Sequence, residues 1–471
     1  ISDRLSLAYH GANLKDLGDQ GYFLSVASKD GKPSIFIGAN TEQGRFYALQ
    51  SLKQLLSRKD GRSLIAETNI LDKPAFSRRG IAMGPWWFNK KDIAIERLVN
   101  LKCNYVWQPL PSKNTWRQPL AETQKKALSE YVEACRKNFI TPAVSVAPRG
   151  TPPVQYSSDA DINLMLDKLS DLYNVGYRDF GINFDDLQNI EQERLVVPAD
   201  IKKFDNNIGK AHVCFVNEVY KRFREKHPDI NFGVIPMVYS RFCSLPDESP
   251  DYGNKAYLRE LSNLPPEITF VSCPVGMEAI HEVTRLTKRP PLIWDNFFAT
   301  WSDKGIVPVF VPPFHWTNGL KDSDIKGYIF LPCALTNEDA AGTSWLTAAD
   351  FFWNGDRRNQ DQSYRAAVVR AAGGGENLDA FKDYSNLSSR LNEYAIPGKS
   401  KEERLRYVQS SIAELQQWKK NLVPVLSKNL SNAVDKEINT YLTNLAMIEK
   451  DMQAKPFSIK VKRVTGLVNI D

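Results

Sequence analysis

A chain of 471 residues with 42% hydrophobic, 11% aromatic and 25% charged residues has the balance of a globular protein with a sizeable core, which excludes a disordered or fibrous chain. Its net charge of +6 is spread thinly and no Lys/Arg run is interleaved with aromatics, so nucleic acid is excluded as the principal partner. No apolar stretch reaches the length of a membrane span, and the opening "ISDRLSLAYHGANL" carries no signal h-region.

The first segment, 1–76, reads as a small α/β domain. Strand-like "GYFLSVAS" and "PSIFIGA" are joined by a Lys/Asp/Gly turn, and the helix "TEQGRFYALQSLKQLLS" follows, with Phe46, Leu49, Leu52, Leu55 and Leu56 on the face expected to meet the sheet. The stretch "LDKPAFSRRG" reads as a linker to the next domain.

Over 77–356 the pattern changes to short apolar runs, each ending in polar, Pro or Gly positions. They are "RRGIAMGP", "CNYVWQPLP", "ITPAVSVAPRG", "YRDFGINFDDL", "NFGVIPMVYS", "ITFVSCPVG", "PPLIWDNFFAT" and "KGYIFLPCAL", and amphipathic stretches such as "TQKKALSEYVEACRKN" separate most of them. Alternating strands and crossover helices predict a parallel sheet, and eight such units predict a closed (β/α)8 TIM barrel, whose chemistry sits at the C-terminal ends of its strands. Asp185, Asp186, Tyr239, Asp295 and Asn296 all fall at predicted strand ends. Trp86, Trp87, Trp107, Trp294, Trp301 and Trp316 cluster at or after such ends, where flat rings suit sugar faces. The third segment, 357–471, reads as an α-helical bundle with one stripe through Leu378, Phe381, Tyr384, Leu387, Leu391 and Tyr394 and another through Val434, Ile438, Tyr441, Leu445 and Ile448. Between them Ser400 and Glu403 form a capping box. The six cysteines lie far apart without Cys-x-x-Cys spacing, which predicts buried free thiols and no zinc site.

The adjacent acids in "FGINFDDLQN" are the main candidates for chemistry. Successive strand residues face opposite sides, so both reach one ligand only where the strand has ended. One acid could then orient a substrate group while the other, its pKa raised by its charged neighbour, moves a proton. A structural pair, satisfying backbone N–H groups at a helix start or forming a loop salt bridge, and a Mg²⁺ or Ca²⁺ site are the competing readings; for a hard cation the segment offers only the amides Asn183, Gln188 and Asn189 as further ligands.

Three stretches carry a resemblance to a known family: "FSRRGIA", "YNVGYRDFGINFDDLQ" and "KRPPLIWDNFF" are similar to strands 1, 4 and 7 of the barrel of glycoside hydrolase family 84, the O-GlcNAcases and bacterial β-N-acetylglucosaminidases. The first domain is similar to the one preceding the barrel there. The resemblance implies a retaining, substrate-assisted hydrolysis in which the 2-acetamido oxygen attacks the anomeric carbon to give an oxazoline, with Asp185 orienting the acetamido group and Asp186 as general acid/base. It also implies substrate contacts from Tyr239 and Asn296, needs no metal or organic cofactor, and makes a carbohydrate the partner.

Several positions depart from the family pattern. Strand 1 runs on as "AMGPWW", placing Gly84 and Trp86 where the family has a Glu-Gly-Phe-Tyr-Gly stretch, and strand 2 ends in "QPLPSK", displacing Lys113 from the sugar-binding lysine. The strand-7 aspartate falls on Trp301, with Asp303 two residues late, and the strand-8 asparagine aligns with Leu331 or Asn337. With Trp294 and Asp295, these positions are the expected sugar contacts. The expected function is removal of β-linked N-acetylhexosamine from glycans or glycoconjugates. The alternatives are a relative with changed sugar specificity, a degenerate glycan-binding module, and other chemistry, such as a lyase, using the same acids. A glycan-cleaving chain of this type is expected to be periplasmic or secreted in a bacterium.

Overall fold

The structure is a computed structural model that describes residues 14–29, 32–82, 91–110, 115–185, 195–239, 252–274, 276–295, 319–331, 338–372, 383–384, 387, 391, 400–426, 428–453, 462–463 and 466–467. Contacts divide the chain into two compact units, one of Ile1–Asp295, Thr317–Phe330 and Phe352–Asp356, the other of Asn296–Trp316, Leu331–Phe351 and Arg357–Asp471.

In the first unit, strands β1 (Tyr22–Lys29) and β2 (Lys32–Ala39) pair antiparallel, and helix α1 (Glu42–Leu55) packs on them. Thr41 caps α1 by accepting from the Gly44 N–H. The face that α1 buries differs from the expected one. Tyr47, Ala48 and Ser51 are buried, Phe46, Leu52 and Leu55 flank them, and Leu49 and Leu56 are 45% and 53% exposed. Two features turn the helix. A Cβ at Gly44 would lie 2.6 Å from the Gly21 carbonyl, so a glycine is needed for the close approach, and the Ser51 hydroxyl bonds the Tyr22 hydroxyl at 2.5 Å. Two short pieces that sequence reading missed follow: the hairpin β3 (Leu56–Lys59) with β4 (Arg62–Ile65), and β5 (Thr68–Asp72), which pairs with β1.

The expected linker is not a free tether. Ala75 and Phe76 donate main-chain N–H groups to Trp353 and Phe352, and Phe76 is fully buried. The chain then enters eight parallel strands that close into a barrel, β6 (Arg79–Ala82), β7 (Tyr105–Pro109), β8 (Thr141–Val146), β9 (Asp179–Asn183), β10 (Asn231–Ile235), β11 (Thr269–Ser272), β12 (Leu292–Asp295) and β13 (Gly327–Phe330), paired in chain order with β13 closing on β6. Each is one of the runs read from the sequence. The connecting helices are α2 (Lys91–Asn100), α3 (Glu122–Lys137), α4 (Asp159–Asn174), α5 (Pro198–Lys203), α6 (Ile208–Lys226), α7 (Tyr252–Glu260) and α8 (Gly276–Thr287).

Which strand face looks inward is settled by Trp107. A Cβ at Gly181 of β9 would lie 2.4 Å from its indole and one at Gly233 of β10 2.8 Å, and a ring from β7 reaches β10 only across the barrel interior. Trp107 is 2% exposed and donates Nε1–H to Ser145 Oγ at 2.9 Å. It was expected at the sugar-facing rim; two glycines without side chains make room for it in the core instead. Helix α9 (Glu338–Asn354) follows β13. Tyr328 and Phe330 pack their rings against Phe352 of that helix, so they face the outer layer.

In the second unit, α10 (Gln360–Ala372), α11 (Lys401–Asn421) and α12 (Lys428–Gln453) build a separate core in which Val434, Ile438, Tyr441, Leu445 and Ile448 are all buried, as are Tyr384, Leu387 and Leu391. Ser400 and Glu403 form the expected capping box on α11. Leu378, Phe381 and Tyr394 lie outside the described residues. Cys103, Cys135 and Cys273 are buried free thiols and Cys214 is partly buried; Cys243 and Cys333 lie outside the described residues. No helix among the described residues is long and apolar enough to cross a membrane.

Candidate active site

The site is built from the C-terminal ends of β8 to β12. Residues Asp179, Gly181 and Asn183 alternate onto the interior of β9, while Phe180, Ile182 and Phe184 turn to the helical layer, where Phe180 meets the Phe223 ring of α6 edge-on. Phe184 is the last residue in the ladder, its N–H donating to Ile235 O at 2.8 Å. Asp185 comes next, in a turn and partly buried, two residues past the strand. The strand has therefore ended before the acidic pair, the condition under which neighbouring side chains escape strict alternation.

Three anchors hold this turn. Phe184 stacks on the His212 imidazole of α6 with centroids 3.7 Å apart and planes 7° from parallel. The Asp185 carbonyl accepts from Arg149 Nη1 at 3.2 Å, and the Arg149 carbonyl in turn accepts from the buried Trp116 Nε1–H at 3.1 Å. His212 Nδ1 lies 2.9 Å from the Tyr257 hydroxyl, which accepts the Met237 N–H at 3.1 Å. His212 Nε2 is buried without a hydrogen-bond partner, so among the described residues the Tyr257 hydroxyl is the ring's one polar contact. Burial pushes the His212 pKa down to about 3, so the ring is neutral at physiological pH.

Tyr239, four residues past β10, is tied to the next strand. Its carbonyl accepts from Cys273 N–H at 2.5 Å and from the Ser272 hydroxyl at 3.1 Å. The strand ends bearing Asp185 and Tyr239 are thus joined to each other through His212 and Tyr257, and to β8 and β11 by bonds to main-chain carbonyls.

On β12, Trp294 and Asp295 point to opposite sides. Asp295 pairs in register with Phe330 on the outer face, and its carboxylate accepts a short hydrogen bond from the buried Tyr328 hydroxyl. Trp294 accordingly turns to the interior, partly exposed at the mouth. Asp186, Gly84, Trp86, Asn296, Trp301, Asp303 and Asn337 lie outside the described residues. Among the described residues no group of three or more His, Cys, Asp or Glu could hold a metal ion.

Residues 84–386 match the family described as beta-N-acetylglucosaminidase, and residues 3–73 match domain 2 of glycosyl hydrolase family 20. The chain belongs to glycoside hydrolase family 84, the beta-N-acetylglucosaminidases. This family 84 chain is 25% identical over 233 residues to the protein O-GlcNAcases of Mus musculus and Rattus norvegicus, covering 47% of this chain. The match takes in only 24% of the length of those relatives. Among solved structures its fold is similar to CpGH84B, with a TM-score of 0.71 at 20% identity over 96% of this chain and 80% of that one. It is also similar to a mutant O-GlcNAc hydrolase of Thermobaculum terrenum, with a TM-score of 0.62 at 20% identity over 80% of this chain and 83% of that one.

Sequence reading of this family 84 member found the acidic turn and the Tyr239 strand end but missed Arg149, His212 and Tyr257. Arg149 had a signal, being a charged residue in "VAPRG" at the end of a barrel strand. His212 and Tyr257 sit within amphipathic helices, where nothing local separates them from other core residues.

Proposed function

We propose that the chain is a retaining glycosidase that releases β-linked N-acetylhexosamine by substrate-assisted catalysis. The observation that carries this reading is Asp185 in a turn just past β9, at the C-terminal end of a closed parallel barrel, followed directly by a second acid. In the first step Asp186 gives its proton to the leaving oxygen as the 2-acetamido oxygen attacks C1, and Asp185 accepts the acetamido N–H and balances the charge of the oxazolinium. In the second step Asp186 takes a proton from water, which attacks C1, reopens the ring and leaves the anomeric configuration retained. No enzyme nucleophile enters, and this sets the scheme apart from the two-carboxylate route.

The anchored turn supports the scheme because a group that stabilises developing charge must hold its place without reorganising. Trp294, on the inner face of β12, is the aromatic platform proposed for the sugar. Asp295, expected among the sugar contacts, is engaged by Tyr328 on the outer face and is left out of the proposed set.

A chromogenic panel of aryl β-glycosides tests the reading. Wild type should release phenol from the N-acetylglucosaminide, and Asp185→Asn and Asp186→Asn should each lower kcat/KM by about 10² to 10⁴. Equal background release by all three proteins on every aryl sugar would shift the assignment to a glycan-binding module.

A further inference from the structure

Asn183 is the last residue of β9 and lies on its interior face, two residues and about 7 Å of chain before Asp185. It is 3% exposed, and its Oδ1 is buried with no hydrogen-bond partner. Buried side-chain amides are almost always paired, so one that is not calls for a reason. Its described neighbours on the two flanking strands supply none. Ile235 is its register partner on β10, and continuing the β8 register by one residue from the Val146–Ile182 pair brings Ala147 alongside. Both are buried and apolar. Below it, Gly181 has no side chain and the Trp107 indole N–H is committed to Ser145. The amide therefore has apolar flanks, a filled core beneath it, and the acidic turn above it.

We propose that Asn183 is a substrate-binding residue at the floor of the site, its amide hydrogen-bonding a hydroxyl or amide group of the bound sugar that reaches deepest into the barrel mouth. The inference rests on the glycosidase reading and adds a selectivity to it. Sugars with a hydrogen-bonding group at that position are favoured, and those presenting only apolar atoms are rejected because they leave the buried amide unpaired. The amide's two ends are interchangeable by rotation, so the deep group is a donor or an acceptor.

The test sets folding against binding. Asn183→Leu, close in size and apolar, removes the unsatisfied group, and Asn183→Ala provides a second folded variant should leucine not be accommodated. The expected result is a melting temperature equal to or above wild type, with affinity for free N-acetylglucosamine and kcat/KM on the aryl N-acetylglucosaminide each reduced about tenfold or more. Lower melting temperatures for both variants with unchanged affinity would overturn the proposal, because the amide would then be a structural member. If wild type hydrolyses no aryl sugar, the glycosidase reading fails and a glycan array still decides on Asn183. Loss of a bound glycan in the variants supports the floor contact. Equal retention, or no glycan retained by wild type, overturns it.

Discussion

Tyr257 does two jobs with one oxygen: it accepts the Met237 N–H and shares a hydrogen bond with His212 Nδ1, whose ring supports Phe184. Replacing it with phenylalanine keeps the ring and removes both bonds. Tyr257→Phe should lose about 1–3 kcal/mol of stability, as for other orphaned buried partners, measured by urea unfolding. It should also lower kcat on the aryl N-acetylglucosaminide, since the two strand ends it links bear Asp185 and Tyr239. Unchanged kcat in a destabilised protein would confine the pair to a structural role. His212 adds a pH dependence of known sign. Its pKa is about 3 folded and near 6.5 unfolded, so the unfolded chain binds the extra proton and stability falls as pH drops from about 6.5 toward 3. His212→Phe should flatten that part of the curve.

Helix α11 shows how far local chemistry reaches. Ser400 accepts the Glu403 N–H at 3.2 Å and Glu403 reaches back to the Ser400 N–H, so Ser400→Ala should destabilise the second unit by about 1 kcal/mol in thermal unfolding. This box was readable because all its atoms lie within four residues. The eight barrel strands were readable for a similar reason, each being an apolar run closed by Pro, Gly or a polar residue. The misreadings share the opposite cause. The buried face of α1 turns on Ser51 meeting Tyr22 and Gly44 meeting Gly21, and the place of Trp107 depends on glycines two and three strands away. The hairpin β3–β4 is short and polar, so it has no alternating signal. At the site, Asp185 and Tyr239 could be placed at strand ends from pattern alone. The isolation of Asn183 and the outward turn of Asp295 needed the register of adjacent strands.

The N-terminal sheet and the barrel share a buried polar junction. Lys102, at the start of the segment leading into β7, donates to the Tyr22 hydroxyl at 2.9 Å and to Ser51 Oγ at 2.6 Å, and lies 4.2 Å from the Trp353 ring centroid. Trp353 Nε1–H donates to Asp72 at 2.6 Å, and the buried Arg79 lies over Tyr47 and Trp353. Burial pushes the Lys102 pKa down to about 8, with Arg79 adding to the effect and Asp72 opposing it. The unfolded chain therefore holds a proton that the folded chain has released between pH 8 and about 10.4, and stability should rise with pH across that window. Comparing wild type with Lys102→Met by urea unfolding at pH 7.5 and 10 isolates the contribution, expected to be no more than about 3 kcal/mol. The residues of β1 and β5 should exchange their amides together with those of β6, because one set of side chains secures all three.

Among the described residues, several bonds at the mouth of the barrel run to peptide groups: Phe184 to Ile235, Arg149 to the Asp185 carbonyl, Cys273 and Ser272 to the Tyr239 carbonyl. Peptide groups survive replacement of the side chains they carry. Side chains at positions 185 and 239 can therefore be exchanged without breaking the bonds that hold their backbone, so variant libraries at these two strand ends start from a platform the exchanges leave in place.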